Sequence, residues 1–446
     1  MRKRKILIGL RNVKYLEYIE DIVNQFNTLN YEVSLGLDPN FLISNSIDET
    51  KNWLQRNYEL VVSEFFCLKK SPSSIKAKKE VLSCVIYLND NSVEWPYFLR
   101  HLGRSSINLR YFTKLIFLSA LPRFARIKFS GKLTDKLRKS MVFDEVINEE
   151  ILRINPDLIL VTPGNLFNSY EDQLIVDAKS VGIPTVVHTL SWDNLNNKGT
   201  VMAIPDKYFV WNNMHKELLI KRHRIPLQVI EVLGSSFFER YFQSQKYFSK
   251  TEVCEALSIP LDFNILTYLG SSKNICKREN LGLEKLLLES KQFKKNYFII
   301  IRPHPTNYRI WNSWKFPNTL VWPRFQNLES RSTVETLSIL KASKGAFGIN
   351  TSGFLDAIAC RIPVFGIKFD NIIYQENTNH FQALKNEGLP VFNSIDDAIS
   401  SIESGNLQMM TNNIALNLLP NQGEVVTRSI KMINKLIANS GRSVND

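Results

Sequence analysis

Cysteine is scarce in this chain of 446 residues: Cys67, Cys84, Cys254, Cys276 and Cys360 are scattered, odd in number, and show no CxxC or Cys/His ligand spacing. A disulfide framework and a structural zinc site are thereby excluded, and a reducing compartment is implied. Long hydrophobic runs are missing too. The longest uncharged stretches, such as Leu115 to Pro122, fall well short of the roughly 20 apolar residues that span a bilayer. The basic start Met1-Arg2-Lys3-Arg4-Lys5 is followed by an apolar run, Ile6 to Leu10, too short for a secretion signal, so it reads as the lead-in to a strand. No solenoid repeat and no low-complexity segment is present. The expectation is a cytoplasmic protein, at most peripheral on the inner face of the membrane.

Acidic side chains are the minority, 43 against 56 Lys and Arg, which leaves a formal charge of +13. Nucleic acid, anionic lipid and phosphorylated substrates all suit such a balance. Between Arg100 and Lys139 the basic side chains, among them Arg123, Arg126, Lys128, Lys132 and Lys136, are opposed only by Asp135. Interleaved aromatics there fit a helical surface against anionic lipid over residues 97–140, although a solvated helix face is the commoner meaning of such charge. Charge is the only nucleic-acid signal, with no recognition motif beside it, so no nucleic-acid partner is expected.

The hydrophobic pattern alternates short apolar runs with amphipathic ones. Strands are predicted at Lys5 to Gly9, Tyr31 to Leu37, Leu60 to Phe66, Ser83 to Leu88, Asp157 to Thr162, Pro184 to Leu190, Tyr208 to Trp211 and Gln228 to Leu233. Near-continuous apolar strands separated by helices indicate a parallel sheet covered on both faces. The chain turns polar from Phe242 and restarts at Asn264 to Leu269, followed by strands at Tyr297 to Ile301, Thr319 to Trp322, Gly345 to Ile349 and Pro363 to Ile367. Helices over Thr333 to Ala342, Gly353 to Cys360 and Gly423 to Ala438 complete the pattern. Two doubly wound, Rossmann-like α/β domains are expected, residues 1–245 and 246–446.

Three strand-end motifs carry candidate chemistry. In the first, the strand ending at Ile349 runs through Asn350 into Thr351-Ser352-Gly353 and then a helix, with Asp356 in its first turn. Exposed backbone N–H groups, two hydroxyls and a glycine suit an anion, and the rival reading is a simple N-cap at Ser352. In the second, Tyr297 to Ile301 ends in Arg302-Pro303-His304-Pro305. The prolines stiffen the turn that presents His304, and Arg302 offers a planar donor fork to phosphate; a structural turn with a satisfied histidine is the alternative. In the third, the strand around Val187 runs into Ser191-Trp192-Asp193-Asn194 and on to Lys198. Asp193 suits a base, Lys198 an anion, and Trp192 a flat face for a sugar or base, against the alternative of a capped turn. His188 reads as a satisfied sheet residue.

These motifs, in this order and with the Ala-Cys-Arg-Ile-Pro363 turn, resemble the GT-B glycosyltransferases of bacterial surface-polysaccharide assembly over roughly residues 155–370. The nearest comparisons are the CDP-glycerol glycerophosphotransferases and the His-Pro-motif capsule and polysialic-acid transferases. The resemblance implies two facing doubly wound domains and a nucleotide-linked donor in the second. His304, Thr351 and Ser352 would meet its phosphates, with Arg302 and Gly353 beside them, Asp356 near the ribose or the helix start, and Ser271 and Ser272 as further contacts. The acceptor, a polysaccharide or lipid-linked hydroxyl, would lie against the first domain, with Trp192, Asn194 and Lys198 on that side. Asp193 is the first candidate base, ahead of Glu17 and Asp206, and no metal or other cofactor is implied. A glycerophosphotransferase, a nucleotide-sugar epimerase, and a basic nucleic-acid-binding or non-catalytic protein are the alternatives.

Overall fold

The computed structural model describes residues 3–38, 42–58, 62–67, 81, 117, 120–139, 149–163, 171–195, 201–243, 247–322 and 332–441. The chain divides into two compact units, residues 1–239 with 421–446, and residues 240–420.

The first unit is built on a parallel sheet of β1 (Lys5–Leu10), β2 (Glu32–Leu37), β3 (Val62–Cys67), β4 (Leu158–Val161), β5 (Thr185–His188), β6 (Lys207–Val210) and β7 (Ile230–Val232), in the order β3-β2-β1-β4-β5-β6-β7. Strand side chains alternate between faces. Ile6, Ile8 and Leu10 therefore enter one core with Leu158 and Leu160, while Leu7 enters the other with Ile159 and Val161. Both faces are dry, which is why these strands read as unbroken apolar runs.

The second unit repeats the arrangement with β8 (Asn264–Leu269), β9 (Tyr297–Arg302), β10 (Thr319–Val321), β11 (Ser343–Gly348), β12 (Val364–Ile367) and β13 (Val391–Phe392), ordered β10-β9-β8-β11-β12-β13 and parallel throughout. Leu266, Tyr268, Ile299 and Ile301 pack on one face, and Ile265 and Ile300 on the other. The chain lays down β8, moves outward through β9 and β10, then returns to place β11 on the opposite flank of β8. That reversal puts the crevice of a doubly wound sheet at the carboxyl ends of β8 and β11.

The structure departs from the sequence expectations in three places. The last helix, Val425–Asn439, belongs to the first unit, not to a second domain running to residue 446. Its 3.6-residue apolar stripe of Val426, Ile430, Ile433 and Ile437 joins the core that holds the β1 and β2 side chains, and the helix packs on Glu20–Thr28; Tyr31 and Arg4 bond Asn434 on its flank. Periodicity foretells that helix but not which core receives it. The helix predicted by the amphipathic run from about Val13 to Leu29 is a 3-10 helix to Ile19 that becomes an α-helix only at Glu20–Thr28. The helices Asn379–Asn386, Ile395–Glu403 and Asn406–Leu418 and the two-residue edge strand β13 add to the predicted elements, between Ile367 and Gly423. The predicted strand at Ser83 to Leu88 lies outside the described residues, as does much of the basic stretch 97–140, of which the helix Arg123–Lys139 is described.

Candidate functional site

Three neighbouring strands of the second sheet, β9, β8 and β11, release their chains side by side at the carboxyl edge. The turns are packed backbone to backbone. Gly270 donates its N–H to the Arg302 carbonyl at 2.8 Å, and a Cβ at Gly270 would stand 2.9 Å from both that oxygen and the His304 nitrogen. At Gly348 a Cβ would stand 2.5 Å from the Leu269 carbonyl oxygen. Only glycine fits at these two positions, so the three turns form one continuous surface.

His304 is half-buried in the middle turn. Its Nδ1 accepts the Thr306 N–H at 3.1 Å, with the Thr306 hydroxyl 3.0 Å away. A nitrogen that accepts a backbone N–H carries no proton, so the neutral ring holds its hydrogen on Nε2. Burial first, and the neighbouring Arg302 charge second, push the imidazole pKa below its usual value. At neutral pH His304 is an uncharged donor.

Arg302 is committed within the fold. Its Nη1 pairs with Asp356 Oδ2 at 2.9 Å, and its guanidinium lies 5.8 Å from the Trp322 ring centroid. The other Asp356 oxygen accepts the buried Tyr241 hydroxyl at 2.8 Å. Asp356, expected near the ribose or the helix start, lies in the first turn of the helix Phe354–Ala359 and ties it to β9 and Tyr241. The fork expected to meet phosphate has one arm already occupied.

The Thr351-Ser352-Gly353 turn also differs from a bare anion cradle. Thr351 is buried and its hydroxyl accepts the Gly353 N–H at 3.2 Å; the Leu355 N–H goes to the Ser352 carbonyl at 3.0 Å. The helix that follows has six residues, not the eight expected, and several of its first N–H groups are satisfied by the turn. Ser352 is exposed and is not the N-cap. Ser352 thus offers a hydroxyl at the surface of this turn, while Thr351 shapes it.

Ser271 and Ser272 separate in the same way. Ser272 is partly exposed, whereas Ser271 is fully buried and gives both its N–H (2.9 Å) and its hydroxyl (2.6 Å) to Glu279 Oε2. The expected phosphate contact of the Ser271 hydroxyl is replaced by this internal one. Glu279, which the sequence reading missed, also accepts Tyr268 Oη–H at 3.3 Å and Asn307 Nδ2–H at 3.2 Å. Burial outweighs those bonds and raises its carboxyl to about 7. Asn350, likewise missed, is buried and donates to the Gln375 carbonyl and the Thr378 hydroxyl. Neither carries a signal in sequence, since an acid in the first turn of a helix and an Asn after a strand are both ordinary.

In the first unit the corresponding crevice lies at the ends of β1 and β4. There Thr162 Oγ1 donates to the buried Glu171 at 2.9 Å. Half-buried Tyr15, its pKa raised mainly by burial, feels the charges of Arg11, Glu171 and Asp193. Asp193 is partly exposed and accepts the Ser191 hydroxyl at 2.6 Å. Asn194 closes that turn through Oδ1, accepting the Leu190 and Ser191 N–H groups. Trp192 is 3% exposed, with its ring 5.5 Å from that of His215, so it is core and offers no open face to a sugar. Asp206 accepts the Thr185 N–H and hydroxyl at the opposite, amino end of β5, which removes it as a candidate base. His188 is buried in the sheet and held to about 4 by burial. Lys198 lies outside the described residues.

No protein-family model matches the chain, and no curated protein matches it. Solved structures share its architecture. They include the UDP-GlcNAc 2-epimerase of Methanocaldococcus jannaschii (12% identity, TM-score 0.53, 97% of this chain and 99% of that one). A glycosyltransferase of Rickettsia africae ESF-5 matches at 11% identity and TM-score 0.52, over 98% of this chain and 100% of that one. S. aureus MnaA in a co-structure with UDP matches at 11% identity and TM-score 0.51, over 98% and 97%. The likeness is one of fold, and it agrees with the two-domain GT-B architecture expected from the sequence.

The Glu279 carboxyl predicts a pH dependence of stability. Its folded pKa of about 7 lies above the ordinary 4.5, so the folded state holds a proton that the unfolded chain has lost. Stability from this group is full below pH 4.5 and declines as pH rises to 7, by on the order of 3 kcal/mol at 1.36 kcal/mol per unit. The unmodified second unit is expected to melt at a lower temperature at pH 8 than at pH 5, and Glu279→Gln to flatten that difference. Melts followed by circular dichroism across this range check it; an identical slope in the two proteins would exclude the carboxyl as its source.

Proposed function

We propose that the chain is a nucleotide-sugar enzyme that transfers a sugar, or a sugar-like group, from a nucleotide-linked donor to the hydroxyl of a surface-polysaccharide or lipid-linked acceptor. The observation that carries this reading is the run of turns at the crevice of the second sheet. A neutral His304 presents Nε2–H there, with Ser272 and Ser352 on the turns to either side. Phosphate oxygens are acceptors, and a surface of hydroxyls and one imidazole donor suits them. The UDP and UDP-GlcNAc named for proteins of the same fold support a nucleotide diphosphate as the ligand class.

In this reading the acceptor hydroxyl gives its proton to Asp193 and its oxygen bonds to the anomeric carbon. The bond from that carbon to the donor phosphate breaks, and its electron pair stays on the phosphate oxygen, which Nε2–H of His304 meets with a hydrogen bond. Side chains, without a metal, take up the leaving-group charge. Epimerisation of a nucleotide sugar is the second reading, favoured by the epimerase among the structures of like fold. A glycerophosphotransferase would use the same donor side.

Incubation with UDP-, GDP-, CDP- and CMP-linked donors, with and without acceptor, separates the readings. Transfer requires nucleotide release that depends on acceptor; interconversion of UDP-sugars alone would replace transfer with epimerisation. His304→Ala is expected to lower turnover roughly 100- to 1,000-fold, as loss of one charge-stabilising donor does, and full turnover in that variant would remove His304 from the site.

A lipid-linked acceptor also requires a place at a membrane. No helix among the described residues is long and apolar enough to cross one, so this part of the reading rests on surface contact. On the helix Arg123–Lys139, Lys128, Lys132 and Lys136 are exposed around Phe129, itself 53% exposed. That combination suits anionic headgroups over nucleic acid. Co-sedimentation with anionic vesicles is expected, and to be lost at high salt or in a Lys128→Glu/Lys132→Glu/Lys136→Glu variant; equal binding to neutral vesicles, or a preference for DNA, would rule the surface out.

A further inference from the structure

The loops at the carboxyl edge of the second sheet are joined by a continuous set of hydrogen bonds, and Glu279 lies at its centre. The carboxylate holds Ser271 by two donors, and it holds Asn307, whose own N–H donates to the His304 carbonyl at 2.8 Å. Asn307 Nδ2 also reaches the Ser271 and Cys276 carbonyls at 3.3 and 2.9 Å. The Ile275 carbonyl accepts from the Gln375 N–H at 3.1 Å, and the Gln375 carbonyl accepts from Asn350 beside Thr351 at 2.8 Å. The turns of this edge that carry Ser272, His304 and Ser352 are thus tied, through main-chain groups and the Asn307 and Asn350 side chains, to one fully buried acid.

A buried carboxylate is a costly way to join two turns. The titratable groups that face it are the Tyr268 phenol and the Cys276 thiol, both held protonated by burial, and its hydrogen-bond partners are neutral donors. An amide in its place would hold an NH2 group toward Asn307 Nδ2 or toward Ser271 at every pH, whereas the carboxyl presents two acceptor oxygens to them once it is ionised. The arrangement therefore depends on a carboxyl at this position and on no other charge.

We propose that Glu279 is a positioning residue for the nucleotide site, locking the Gly270–Cys276 and Pro303–Asn307 turns into one body so that Ser272 and His304 meet the ligand already arranged. The inference rests on the reading of this edge as a nucleotide site. Ligand binding is strengthened when the ordering of its contacts is complete beforehand.

The test compares the unmodified chain with Glu279→Gln and Asn307→Ala, using amide hydrogen exchange and UDP titration calorimetry from pH 5.5 to 8.5. Either substitution is expected to speed exchange in both turns together, with the strands β8 and β9 unchanged. UDP affinity is expected to fall about tenfold, a step of 1.4 kcal/mol at 25 °C. The unmodified chain's UDP affinity is expected to show a titration step near pH 7 that Glu279→Gln lacks. Faster exchange confined to the turn that carries the substitution, or the same affinity and pH profile in all three proteins, would overturn the proposal. Asn307→Ala leaves the carboxyl in place and keeps the test decisive if Glu279→Gln does not fold. Failure of the unmodified chain to bind UDP would count against the nucleotide reading instead, and the exchange measurement would still decide whether the two turns are coupled.

Discussion

Burying a carboxyl group beside Tyr268, Ser271 and Asn307 obliges the surrounding chain to supply hydrogen-bond donors at fixed positions, and much of the second unit's carboxyl edge follows from that obligation. Ser271 must turn its hydroxyl inward, which leaves Ser272 outward. Asn307 must fold back beneath the Pro303–Pro305 turn, which fixes the backbone that carries His304. The close approach of Gly270 to the Arg302 carbonyl completes the junction, since any side chain there would separate the two turns. A second constraint acts on the other flank, where Asp356 is shared by Arg302 and Tyr241. Between these two anchored carboxylates the surface groups that remain are polar, compact and rigidly held.

That division of labour differs from a simple tally of phosphate-friendly residues. Arg302, Ser271 and Asp356 carry the right chemistry for a ligand, yet each is spent largely on the fold. Ser352 is exposed, and His304 and Ser272 are partly so. The first unit shows the same economy: Asn194 closes the turn that presents Asp193, and Trp192 braces it from beneath against His215.

The sheets were legible in the sequence because strands buried on both faces leave no polar interruptions: Tyr297 to Ile301 and Asp157 to Thr162 announce themselves, and their parallel pairing follows from alternation with helices. Strand-end motifs were legible because proline and glycine mark where regular structure stops. The destination of a side chain was not. Whether Ser271 or Ser272 faces outward depends on Glu279, several residues on and hidden as an ordinary helix-start acid. The placement of the helix Val425–Asn439 in the first unit depends on a core assembled from the other end of the chain, which no local pattern records. The pairing of Arg302 with Asp356 spans two motifs that were each read as facing a ligand.

The central claim, that the turns after β8, β9 and β11 hold a nucleotide diphosphate, is tested most directly by a crystal structure of the chain grown with UDP. The account predicts diphosphate oxygens within hydrogen-bond distance of His304 Nε2 and of the Ser272 or Ser352 hydroxyl, with Ser271 still bonded to Glu279. A diphosphate bound elsewhere, with His304 and both serines untouched, would contradict it.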